Sequence, residues 1–202
     1  MTTRFAFLAA PALLFAYGTA RLIDGLDGTH GPGPAWTTGH IFFLTSILLF
    51  GVALIGLRGR LEGRGHRRIG TVAAVAGLIG LVAFVRTTII DLIVGLRGTD
   101  RADMDRLYPH YDRWPGGLPT ALTGPLDKLG PALFMLSLLT LTILLVLARP
   151  RLLSWWSPVL VVVALVAIST SLDLLPLAGA ALFAALWPVA RQRSETRAVA
   201  TV

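Results

Sequence analysis

The strongest constraint on this chain is a series of long apolar runs, which lie near residues 5–23, 39–57, 69–96, 129–148, 156–172 and 174–190. A helix needs about 20 apolar residues to cross the roughly 30 Å hydrocarbon core of a bilayer. The first four runs suit this length, whereas the last two are short and could instead form one re-entrant pair. The mean hydropathy of +0.72 agrees with membrane insertion. The sequence therefore predicts an all-α, polytopic transmembrane bundle of six helices, in one domain over residues 1–202.

The charged residues divide unequally between the two sides of such a bundle. One side would hold eleven basic residues and two glutamates, and the other six basic residues and eight aspartates, with Arg86 and Asp91 left out as parts of the third helix. Since short loops rich in Lys and Arg stay in the cytoplasm, both termini are predicted to be cytoplasmic. The net charge of +7 then reflects membrane orientation, and no nucleic-acid partner is expected. The arginine-rich, alanine-rich composition favours a bacterial cell membrane.

The first apolar run also resembles a secretory signal, because Arg4 precedes it and small residues follow in YGTA at 17–20. The run resumes at Leu22 and Ile23, which favours a membrane span. Cleavage would leave five helices and would not change the sidedness of the rest of the chain.

Two hydrophilic segments between the runs carry separate predictions. Residues 99–128 are expected to form an outer loop over the bundle, in which Thr99 caps a short helix, and a protein partner could bind there. On the cytoplasmic side, RGRLEGRGHRR is expected to contact anionic lipid. The arginines of this cluster are Arg58, Arg60, Arg64, Arg67 and Arg68.

Arg86 is the most informative polar residue, because it lies in the outer part of the third apolar run. An arginine at such a depth costs roughly 1–3 kcal/mol unless it faces the bundle, finds an acceptor or reaches the headgroups. Asp91 follows five residues later, about 140° around a helix, and is therefore on a different face. The partner of Arg86 is expected on another helix, where the candidates are Asp24, Asp127 and Asp173.

A polar pocket that opens outward is predicted at this end of the bundle. Its first stripe lies on one face of the first helix, where three polar residues are spaced i, i+4 and i+7. The residues expected to bind a small or lipid-like ligand are Tyr17, Arg21, Asp24, His40, Arg86, Thr87 and Asp91. Structural roles are the alternative, since arginines near helix ends reach lipid phosphates and aspartates cap helices. Capping is the favoured interpretation for Asp127 and Asp173.

Three classes of function remain open from the sequence. The first is a small-solute or ion permease, or a subunit of one, with the charged cluster on its translocation path. The second is an intramembrane enzyme that acts on a lipid or isoprenoid, with an aspartate as general acid. The third is a structural or assembly protein. A one-sided site at the outer face, with an apolar floor, is favoured over a continuous pathway because the inner half of the bundle is very apolar.

Several chemistries are disfavoured by the same sequence. It contains no cysteine, no HExxH motif and no phosphate-binding loop, and no histidine falls in the interior of a predicted helix. We therefore expect no metal site and no cofactor.

Overall fold

The computed structural model of the protein describes residues 2–111, 120–148 and 152–191. Within these residues the chain is helical and contains no strand. The helices are α1 (Thr2–Asp24), α2 (Pro34–Gly59), α3 (Arg64–Arg97), α4 (Arg101–Tyr111), α5 (Thr120–Leu147), α6 (Trp156–Thr170) and α7 (Leu175–Arg191). Five of them are long and apolar enough to cross a membrane, which fits a membrane-embedded helical bundle.

Six helices form a ring around one apolar core. Going round the ring, α1 packs on α2, α2 on α3, α3 on α5, α6 on α7 and α7 on α1, whereas α5 and α6 touch only sparsely. The core is built from large side chains such as Phe7, Leu54, Leu138 and Leu182, all fully buried. α4 lies outside the ring and packs on the end of α3.

The two ends of the bundle differ in charge. Contacts between helices bring four aspartates to one end, which we call the acidic end: Asp24, Asp91, Asp127 and Asp173. The α2–α3 turn lies at the opposite end, which we call the basic end and which carries Arg58, Arg60, Arg64, Arg67 and Arg68. The helices thus sort the charges as the sequence pattern implies. Which end faces the cytoplasm stays a prediction.

α6 is the shortest helix of the ring. Its 15 residues span about 22 Å, which is less than the roughly 30 Å of a hydrocarbon core. α7 with the turn that precedes it, Leu172–Arg191, reaches 20 residues. Length and composition therefore support five spans, and the sixth stays a prediction.

The described parts of the segment 99–128 are largely helical, because they contain α4 and the first nine residues of α5, whereas residues 112–119 lie outside the described residues. α5 continues through Pro125 and Pro131, although each lacks the N–H of a regular helix. Membrane helices tolerate proline where neighbouring groups satisfy the freed carbonyls. The expectation that Asp127 caps a helix is consequently wrong, since Asp127 lies inside α5.

Two other caps differ from the sequence prediction. Asp100 caps α4 in place of Thr99, because its Oδ1 accepts the N–H of Asp103 at 2.8 Å. Ser171 caps the turn before α7, where its Oγ accepts the N–H of Asp173 at 3.1 Å. In each case the residue immediately before the helical turn is the one whose side chain reaches the unpaired N–H. The Asp173 carboxylate is thereby left for an ion pair.

Candidate functional site

Arg86 forms an ion pair with Asp127, which joins α3 to α5 at the acidic end. Its Nη1 atom lies 3.3 Å from both carboxylate oxygens of Asp127. The partner is therefore on another helix, as helix geometry required, and it is one of the three aspartates proposed from the sequence. The pair neutralises a cation that lies within a helix long and apolar enough to cross a membrane.

Asp91 connects three elements at the end of α3. One of its carboxylate oxygens accepts a hydrogen bond from the Tyr108 hydroxyl of α4 at 2.9 Å. Its backbone carbonyl accepts a bond from the indole Nε1 of Trp36 at 3.0 Å. Burial, together with the charge of Asp91, raises the pKa of Tyr108 above its ordinary value of 10.0, so the hydroxyl remains a donor. Asp91 thus fastens α4 and the start of α2 to α3.

His40 lies on the other side of the Asp91 carboxylate. Its Nδ1 is 2.8 Å from the backbone carbonyl of Trp36, and because a carbonyl only accepts, Nδ1 carries a proton. Its Nε2 is 3.6 Å from Asp91, so an ion pair forms when the imidazole is protonated. Both ring nitrogens are therefore directed at protein groups. His40 is also buried, with 5% of its surface exposed, which suits a structural role better than a ligand.

A small apolar cluster attaches α4 to the bundle. Met104 of α4 is fully buried against Trp36, Ile90 and Val94. The Trp36 indole lies directly over Gly95, and a side chain at that position would collide with Nε1 and Cδ1 of the indole. Glycine at 95 is therefore required by a close approach between α2 and α3.

Two more ion pairs occupy the acidic end. The Nε of Arg21 lies 3.7 Å from the Asp173 carboxylate, which links α1 to the turn before α7. The Asp24 carboxylate lies 3.4 Å from Nδ1 of His30, in the connection between α1 and α2. Each of the four aspartates at this end thus faces a basic or hydroxyl side chain of another segment.

The residues predicted to line one polar pocket do not share one cavity. Tyr17, Arg21, Asp24 and His40 surround a space of only about 10 Å³, which is about the size needed for one water molecule. Arg86 and Asp91 line neither this space nor the larger cavity described next. Tyr17 and Thr87 are the two members of the predicted set that line the larger cavity.

A cavity of about 370 Å³ lies inside the ring, in its acidic half. Its walls are mostly apolar and come from all six helices of the ring. Four phenylalanines pack edge to face along it: the Phe43–Phe84, Phe50–Phe134 and Phe84–Phe134 ring centroids are 5.7, 5.2 and 6.2 Å apart. Ser46 contributes little polarity, because its hydroxyl donates to the Ala10 carbonyl at 2.7 Å. The volume lies within the range of small-ligand sites.

Lys128 provides the single basic side chain on the wall of this cavity. It follows Asp127 on α5, and Thr87, another wall residue, follows Arg86 on α3, so each partner of the ion pair is next in sequence to a wall residue. Lys128 is exposed and forms no ion pair with any other described residue. In the sequence it is one of the charges of the predicted outer loop, and it is the only lysine of the chain.

The sparse α5–α6 seam borders the same cavity. Lys128, Pro131 and Ala132 of α5 line one side, and Leu165, Ile168 and Ser169 of α6 line the other. These two helices pack less closely on each other than the other neighbouring helices of the ring do.

Over the described ranges, no group of three or more His, Asp, Glu or Cys residues is arranged to hold a metal ion. The chain matches no family model, and no curated protein or solved structure matches it significantly. The interpretation of the site therefore depends on its own geometry.

Proposed function

We propose that this protein is a multi-pass protein of a bacterial cell membrane that binds a lipid-like, anionic molecule in the cavity within the helix ring. The observation that carries the proposal is the combination of an apolar cavity of about 370 Å³ with Lys128 on its wall. The apolar part of the ligand would lie among the phenylalanine rings. Its anionic group would lie beside Lys128, at the acidic end.

The energetics of a membrane make the basic group important. A hydrocarbon tail gains little by leaving lipid for a protein cavity, because the two surroundings are similarly apolar. Preference for a ligand over bulk lipid must therefore come from its charged group and from the shape of the cavity. Lys128 suits the first role, since Arg86 and Arg21 are already held by Asp127 and Asp173.

The α5–α6 seam supports access from within the bilayer. A ligand that approaches sideways keeps its tail in hydrocarbon and its charged group at the headgroup level, so neither part crosses an unfavourable medium. Lys128 and Ser169 lie on opposite sides of that seam. If the termini are cytoplasmic, the ligand would come from the outer leaflet.

The alternative functions receive less support. A permease needs polar groups beyond the cavity, but Thr142 on the way to the basic end donates to carbonyls of its own helix, and Ser137 packs against Gly77. An aspartate general acid needs a carboxylate on the cavity wall, and the described wall contains none. An assembly role for the segment 99–128 stays a prediction.

The experiment is to identify and quantify lipid that copurifies with the full-length protein, using mass spectrometry. Lys128→Gln should lower the yield of anionic amphiphile several-fold, whereas Arg106→Gln, the same charge change at an exposed position of α4, should not. Leu165→Trp should exclude the ligand by filling the cavity. Val166→Trp, the next residue on α6 and not part of the wall, is its control. Equal lipid yields from all four variants and the parent protein would refute the proposal.

A further inference from the structure

A second cavity, of about 430 Å³, lies at the basic end of the bundle. It is formed by the α2–α3 turn with the start of α3, by the end of α5 and by Leu152. Its lining residues are Arg60, Glu62, Gly63, His66, Leu147, Ala148 and Leu152. None of them belongs to the cavity within the ring.

Arg60 is fixed on the wall of this second cavity. Its guanidinium carbon lies 4.6 Å from the centroid of the Phe7 ring, and its Nη2 donates to the Val189 carbonyl at 3.4 Å. Among the described residues no carboxylate forms an ion pair with Arg60, although Glu62 lines the same cavity. The cation is thus positioned by an aromatic ring and a carbonyl while its charge is not neutralised by a neighbour.

The surroundings of Arg60 favour a bound anion. Burial and the like charge of Arg4 lower the pKa of Arg60, although a guanidinium stays protonated at neutral pH. A cation in such surroundings is stabilised when an opposite charge approaches it. Exposed Arg64 and Arg67 add positive potential around the cavity, while Glu62 opposes it.

The cavity also has an apolar side. Leu147, at the end of α5, exposes 61% of its surface, and Leu152 lies half-buried on the same wall. A basic wall next to an apolar wall fits a phosphate group that continues into a hydrocarbon chain. A soluble anion would use only the first of these walls.

We propose that this cavity binds one anionic phospholipid, with its phosphate on Arg60 and His66 and the start of an acyl chain along Leu147. Basic pockets between membrane helices commonly hold anionic lipid headgroups. The site is separate from the cavity within the ring and does not depend on the function proposed for it.

The test uses full-length protein that carries Lys128→Gln, so that the cavity within the ring contributes little. Native mass spectrometry then compares the retention of phosphatidylglycerol with that of phosphatidylcholine. We expect a several-fold preference for phosphatidylglycerol, which Arg60→Gln abolishes. Arg68→Gln makes the same charge change at an exposed position off the cavity and should preserve the preference.

Because Arg60 also packs on Phe7, its substitution can disturb folding, and Glu62→Gln provides a second arm. It removes the opposing charge from the cavity, so the preference for phosphatidylglycerol should increase by at least about twofold. Equal retention of the two lipids by the Lys128→Gln protein would overturn the proposal. The proposal would also be overturned if Arg60→Gln and Arg68→Gln reduced the preference for phosphatidylglycerol equally, because that result would indicate non-specific electrostatic attraction to the basic end. Displacement of the lipid by inorganic phosphate would identify a soluble anion as the ligand and would also overturn it.

Discussion

The Arg86 guanidinium and the Asp127 carboxylate meet at 3.3 Å across α3 and α5, and each residue is next in sequence to a residue on the wall of the cavity within the ring. Their side chains are only 10% and 31% exposed. Removing one partner would leave the other charge partly buried, which is more unfavourable than losing the pair as a whole. The pair thus holds α5 in place next to Lys128.

The Arg86–Asp127 pair predicts a strong coupling free energy between the two positions. Arg86→Leu and Asp127→Leu should each lower the free energy of unfolding in detergent by about 2 kcal/mol, a value reduced from the fully buried case because Asp127 is partly exposed. The double variant should recover part of that loss. Titration from mild detergent into SDS measures the free energy of unfolding of the parent protein, the two single variants and the double variant, which together form a double-mutant cycle. If the loss in the double variant equals the sum of the two single losses to within about 0.5 kcal/mol, the prediction is contradicted.

The contact of Trp36 with Gly95 predicts that Gly95→Ala is destabilising, although alanine is the better helix former. The added carbon would displace the indole and break its bond to the Asp91 carbonyl, at a cost of about 1–3 kcal/mol. Gly51→Ala is the matched control, because its added carbon would meet Leu78 at an ordinary 3.5 Å. Thermal unfolding should show a lower Tm for Gly95→Ala and an equal or higher Tm for Gly51→Ala. The reverse order would contradict the close approach.

The bond from Tyr108 to Asp91 predicts that Tyr108→Phe loosens α4. Hydrogen exchange over residues 101–111 should accelerate several-fold, since a hydrogen bond to a carboxylate contributes about 1.5–3 kcal/mol when well shielded and less when partly exposed. Arg106→Gln, which changes an exposed side chain of the same helix, should leave exchange unchanged. Equal rates in Tyr108→Phe and the parent protein would contradict a role for this hydrogen bond in holding α4.

The raised pKa of Tyr108 predicts a pH dependence with a definite sign. In the unfolded protein Tyr108 loses its proton near pH 10.0, whereas in the folded protein it keeps the proton to a higher pH. Above pH 10.0 the folded state therefore binds more protons than the unfolded state does. The contribution of Tyr108 to stability is therefore complete below pH 10 and declines as the pH rises further. The parent protein should lose stability more steeply than Tyr108→Phe between pH 10 and 11. Parallel curves would contradict the assignment.

The charge asymmetry predicts membrane topology, and the absence of cysteine makes the test simple. Gly31→Cys lies at the acidic end and Gly65→Cys at the basic end, and both positions have open space for a side chain. In intact cells a membrane-impermeant thiol reagent should label Gly31→Cys only. Both should react after lysis. Labelling of Gly65→Cys in intact cells would reverse the predicted orientation.

Several features of the candidate site were beyond sequence reasoning. Helix geometry excluded Asp91 as the partner of Arg86, but it could not choose Asp127 from three aspartates, because that choice depends on which helices are neighbours. Lys128 does not stand out in the sequence, because Pro125 and the glycines around it make residues 120–128 look like a loop. Once α5 includes them, Lys128 lies on the cavity wall.

The sequence by itself determined that the chain is helical, apolar enough for a membrane and divided into a basic and an acidic end. These properties depend on run length and on charge count, which are local. The tertiary structure decided the ion pairs, the role of Asp91 as a joint between three segments, and the two cavities. Such features depend on the order of helices around the ring and on the sparse α5–α6 contact. The residue pattern along one helix does not specify which other helices lie next to each other.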